Sequence, residues 1–87
     1  MKKMQVEWRH RESLLESGTR LDIWSARVDR FALTVDHYQT QPDAKFKFSD
    51  AYVVQVRNDR TGASMLASCL SLEAAQKWAV EQMEALG

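Results

Sequence analysis

The sequence predicts an α+β domain: an antiparallel meander of three to four β-strands with a C-terminal α-helix packed on one face. Three observations carry this. "WSARVDRFALTV" (24–35) alternates apolar and polar residues on either side of a phase slip at Asp29–Arg30. Two strand-like runs, "AYVVQVR" (51–57) and "ASMLASCL" (63–70), flank the turn-rich "NDRTG". "LEAAQKWAVEQMEAL" then repeats apolar residues at helical spacing. The 87 residues read as one domain (1–87), with a less regular N-terminal segment (1–21), the meander (22–70) and the helix (71–86). A single core is only just sufficient at this size, and three tryptophans help it bury enough area.

The N-terminal third is the least regular. "MQVEW" suggests a short strand, and "RHRESLLES" a helical turn or two ending at Gly18. The slip at Asp29–Arg30 has two explanations. A two-residue hairpin turn sets Val28 against Phe31, Ala26 against Leu33 and Trp24 against Val35, all on one side of the sheet. A bulge in one long strand would also restore the apolar face. Strand length favours the hairpin, whereas the absence of a turn glycine disfavours it.

The stretch from Asp36 to Asp50 is polar and reads mainly as a loop, although "KFKF" could extend a strand, with Phe46 and Phe48 opposite Lys45 and Lys47. In the next strand Tyr52, Val54 and Val56 share a face. Asn58, Asp59 and Gly62 supply residues tolerant of positive φ for a hairpin loop. In the strand after it, Met65, Ala67 and Cys69 lie opposite Leu66 and Leu70. Ser71 can cap the helix, Glu73 suits its positive end, and Ala75, Trp78, Ala79, Met83 and Leu86 form one apolar stripe.

The pattern W-x-A-x-V-x-x-F-x-L-x-V, then Y-V-V-x-V, a turn, a small-residue strand and "SLEAAQKWA" resembles short open reading frames of bacteriophages and prophages, over about residues 22 to 86. In these a strand meander runs into one C-terminal helix. The resemblance implies that fold, and it implies a class of small proteins that includes inhibitors of host defences such as anti-CRISPR proteins.

Net charge is zero and the pI is near 6.7, which disfavours a general nucleic-acid binder, because phosphate neutralisation needs a basic excess. No apolar run follows the N-terminal lysines as a signal peptide requires, and no segment reaches the roughly 18 apolar residues of a membrane span. A cytoplasmic protein is expected, in the host cytoplasm if phage-encoded.

Chemistry-bearing motifs are scarce. Cys69, the single cysteine, excludes an internal disulfide and a thiol-rich zinc site, and its phase with Ala67 makes it a small apolar residue rather than a nucleophile with His10 or His37 as base. His10 and His37, with Glu12 or Asp36 nearby, lack metal-ligand spacing and read as surface histidines. Asp22, Asp29, Asp36, Asp43 and Asp50 recur every seven residues, but no helix carries them. With only three glycines there is no phosphate loop. No catalytic, cofactor-binding or metal-binding residues are therefore assigned, and no cofactor is expected.

Two binding surfaces remain. Lys45, Lys47, Arg57 and Arg60, interleaved with Phe46 and Phe48, could touch phosphates. Strands followed by a helix are also similar in topology to double-stranded RNA-binding domains, but "SLEAAQKWA" lacks their lysine-rich helix start. Val53, Leu66 and Leu70 point away from the helix-bearing face, so a second face needs cover. That cover could be the N-terminal segment through Leu14 and Leu15, another copy of the chain, or a foreign protein. The expectation is a non-enzymatic protein-interaction module, in line with an inhibitor that occludes a host protein such as a CRISPR-Cas component. The alternatives are a small nucleic-acid-binding protein and a structural or regulatory homodimer.

Overall fold

The computed structural model describes residues 6–16, 18–39 and 51–86. They form one antiparallel sheet of five strands in sequential order, followed by a helix. The strands are β1 (Arg9–Leu14), β2 (Arg20–Val28), β3 (Phe31–Gln39), β4 (Tyr52–Asn58) and β5 (Ser64–Cys69), and the helix is α1 (Leu72–Leu86). The α+β class and the antiparallel meander stand, with five strands where three to four were expected.

The extra strand is β1, where the sequence suggested a helical turn. "RHRESL" has no apolar alternation, and all six of its residues are exposed. Its backbone pairs with the free edge of β2, Arg9 opposite Ser25 through Leu14 opposite Arg20. Ladder hydrogen bonds, rather than burial, hold this strand in place, and they satisfy an edge that would otherwise be open.

The phase slip at Asp29–Arg30 is a hairpin. Val28 pairs with Phe31, Ala26 with Leu33 and Trp24 with Val35. The turn manages without glycine because the positive φ, 54°, falls on Asp29. Aspartate tolerates that region better than most residues do.

The β4–β5 turn is organised by Asn58. Its Oδ1 accepts from the backbone N–H of Arg60 (2.9 Å) and Thr61 (3.4 Å), and Gly62 takes φ 79°. The backbone N–H of Asp59 donates to the Arg30 carbonyl at 2.8 Å, joining this turn to the β2–β3 turn.

At the start of α1 the Ser71 hydroxyl accepts from the N–H of Ala74 at 3.1 Å, the expected N-cap. The helix lies over β3, β4 and β5, and among the described residues its backbone does not come close to that of β1 or β2. Ala75, Ala79 and Met83 are buried against Phe31, Leu33, Val35, Val54 and Val56. Trp78 and Leu86 are only partly buried at the margin of that core. The β1–β2 half of the same face is left to side chains, chiefly Trp8, Trp24 and a polar cluster.

Of the three candidate covers for the second face, the N-terminal segment through Leu14 and Leu15 does not lie over it among the described residues. Strand β1 extends the sheet edgewise instead of crossing it, and Leu14 falls in the phase of the helix-bearing face, where it is exposed. No described element packs on the second face.

Candidate functional site

The residues nominated from sequence divide three ways. Lys45 and Lys47, with Phe46 and Phe48, lie outside the described residues. Arg57 is on the second face, but its Nε donates to Asp59 Oδ1 at 2.7 Å, and Arg27 Nη2 donates to Asp59 Oδ2 at 2.6 Å. Arg60 sits in the β4–β5 turn, away from the strand residues. Val53, Leu66 and Leu70 occupy the predicted phase: Val53 is half-buried, Leu66 is 69% exposed and Leu70 is 96% exposed.

Strand register completes this second face. One cross-sheet row runs Arg11, Ile23, Asp36, Val53, Ser68, and the next runs Arg9, Ser25, Thr34, Gln55, Leu66. Leu21 and Tyr38 pair on the other side of Ile23 and Asp36. Leu21, Ile23, Tyr38 and Val53 therefore surround the Asp36 carboxyl. Burial among them raises its pKa above the ordinary value of 3.8, because the charged form loses water. Asp59 shifts the opposite way, lowered first by the hydrogen bond from Arg57 and further by Arg27. Sequence reasoning missed Leu21, Ile23 and Tyr38, although each is in phase with a strand already recognised.

The helix-bearing face holds a second arrangement. One row across the whole sheet reads Glu12, Asp22, His37, Tyr52, Cys69. In the neighbouring row His10 stands opposite Trp24. Two ring stacks flank the buried Asp22: His10 on Trp24 (4.6 Å between centroids, 9° between planes) and His37 on Tyr52 (4.0 Å, 8°).

Asp22 is only 2% exposed and needs compensating partners. His10 Nε2 donates to its Oδ1 at 2.9 Å, and Arg20 Nε lies 3.5 Å from the same oxygen. Arg20 Nη2 also donates to Glu12 Oε1. A carboxylate can only accept, so His10 carries a proton on Nε2 when Asp22 is ionised.

The expectation of surface histidines is thus corrected for His37, while His10 is exposed as expected. His37 is 8% exposed, with its Nδ1 buried and without a hydrogen-bond partner, and His10 is anchored to a buried carboxylate. The reading that assigned no metal-binding residues rested on linear spacing. Strand pairing brings donors from β1 and β2 together: one ligand atom each from His10, Glu12 and Asp22 lies within 4.8 Å of the others. A signal was present, since Asp22 shares the phase of Trp24, Ala26 and Val28, and His37 that of Phe31, Leu33 and Val35. A polar residue in phase with a core face marks a buried polar site. Cys69 ends the row as a half-buried free thiol, next to Tyr52.

Among the described residues no helix is long and apolar enough to cross a membrane. The chain matches no family model, and no curated protein or solved structure shows significant similarity to it.

Proposed function

We propose that this protein is a non-enzymatic interaction module that binds another protein, or a second copy of itself, through the open face of its sheet. The observation that supports this is Leu66, 69% exposed and diagonal to half-buried Val53, with half-buried Tyr38, Ile23 and Leu21 farther across the same face on β3 and β2 and no described element over them. Monomeric proteins seldom leave such a patch in water unless it is used. Arg9, Arg11, Arg27 and Arg57 lie on the same face, where the apolar residues are interspersed with Thr34, Asp36 and Gln55; arginine is enriched at interfaces. The resemblance to short phage products is the support for choosing a host-defence protein of the host cytoplasm, such as a CRISPR-Cas component, as the first partner to try. A nucleic-acid role draws less support, because Asp59 already holds Arg27 and Arg57 and net charge is zero.

Light scattering of the wild type and Leu66→Glu, with circular dichroism as folding control, tests this. The expected result is a dimer that the substitution splits into folded monomers, or a monomer whose complex with a host protein the substitution abolishes. A wild-type monomer whose complexes are untouched by both Leu66→Glu and Ile23→Glu would overturn the proposal. Salt-sensitive retention of oligonucleotides in a gel shift would replace it with the nucleic-acid alternative.

A further inference from the structure

On the opposite face of the sheet, we propose that His10, Glu12 and Asp22 bind a first-row divalent cation of the zinc type and thereby clamp β1 onto β2. Their ligand atoms lie within 4.8 Å of one another. Around a tetrahedral cation with bonds of about 2.1 Å, ligand atoms are about 3.4 Å apart. The remaining approach is within reach of a rotation of the exposed Glu12 side chain. Asp22 and His10 are already in contact.

A second observation is independent of those three side chains. His37 stands directly across from Asp22 on the same face, buried, with Nδ1 lacking a hydrogen-bond partner. Buried ring nitrogens in that condition are rare, and contact with an ion or with the outer shell of an ion site is one recognised cause. His37 occupies the position from which such an outer-shell residue would support the Asp22 carboxylate.

The donor set selects the class of ion. One imidazole and two carboxylates suit zinc and its first-row neighbours. The imidazole nitrogen disfavours calcium, which takes six to eight oxygen ligands. The three protein ligands leave one position of a tetrahedral ion open.

Arg20 is the competing cation. It holds Glu12 and approaches Asp22, but the Arg20 and Glu12 side chains are both about half exposed. Exposed ion pairs are weak, so a divalent ion bonded to three donors displaces the guanidinium. Arg20 therefore gives the discriminating variant: its removal strengthens binding of a cation, whereas at an anion site it would weaken binding. The clamp has a structural consequence as well. All six residues of β1 are exposed, and among the described elements the strand lies next to β2 alone, so cross-links from His10 and Glu12 to Asp22 restrain a lightly held edge.

The test is calorimetric titration of the full chain with zinc chloride, joined to amide hydrogen exchange with and without zinc. Wild type and Cys69→Ala should each bind one equivalent saturably, and zinc should slow exchange across β1. His10→Gln and Glu12→Gln, at exposed positions and checked by circular dichroism, should each weaken binding by more than about tenfold, the lower end of what outer-shell losses cause. Arg20→Gln should tighten it. Absence of saturable binding would overturn the proposal, as would binding that survives both His10→Gln and Glu12→Gln or is lost in Cys69→Ala. Weaker zinc binding in Arg20→Gln, or β1 exchange indifferent to zinc, would overturn it too.

Discussion

The side-chain amide of Asn58 donates to the backbone carbonyl of Leu86 at 3.3 Å, and through it the β4–β5 turn holds the last turn of the helix. The same side chain accepts from two backbone N–H groups of its own turn. A residue only 2% exposed thus joins the sheet end to the helix end.

Asn58→Ala removes all three bonds and leaves turn donors without a partner. At roughly 1 kcal/mol for each hydrogen bond, the loss should come to about 2–3 kcal/mol. Urea denaturation would check it. A midpoint equal to that of the wild type would show that the turn and the helix end are held independently.

The largest side chain that the helix buries in the core is Met83 rather than its tryptophan. Met83 is 2% exposed on the helix face that it shares with Ala75 and Ala79, packed in the core, whereas Trp78 is only partly buried. Met83→Ala should cost about 3 kcal/mol, and Trp78→Ala should stay below the 3–5 kcal/mol typical of buried aromatic truncations, at about 2 kcal/mol. Denaturant midpoints of the two variants should therefore rank Met83→Ala as the less stable.

The β2–β3 turn places an L-residue at positive φ. Asp29→Gly relieves that strain while loosening the unfolded chain, so stability should change by less than about 1 kcal/mol. Asp29→Val puts a β-branched side chain at φ 54° and should cost about 1–2 kcal/mol. Thermal melts of the pair would show it, and equal midpoints would indicate that the turn relaxes freely.

Asp36 gives the pH dependence of the open face. Its pKa is raised in the folded state, so the folded protein binds more protons than the unfolded one above the ordinary value of 3.8. Stability is consequently lost as pH rises through that region, and the charged carboxylate is a net cost at neutral pH. Asp36→Asn should raise the melting temperature at pH 7, with the advantage shrinking as pH falls below 3.8. A gain that persists unchanged at pH 3 would trace to some cause other than the charge.

The sequence by itself determined the β4–β5 hairpin, the helix and the two faces of the sheet, and it left the slip at Asp29–Arg30 between a hairpin and a bulge, which the structure decided for the hairpin. Trp24, Ala26 and Val28, with Val35, Leu33 and Phe31, marked one face through a period of two, and Ser71 set the helix start through its hydroxyl. These are local signals: alternation, turn chemistry and a cap act over a few residues and need no knowledge of neighbours. Only the tertiary structure decided that "RHRESL" is a strand, because its apolar content is silent and the free edge of β2 supplies the hydrogen bonds. Only the tertiary structure brought His10 and Glu12 to Asp22, and set His37 across from it. Side chains on different strands become neighbours through register, and linear spacing carries no trace of register between strands until the pairing is known.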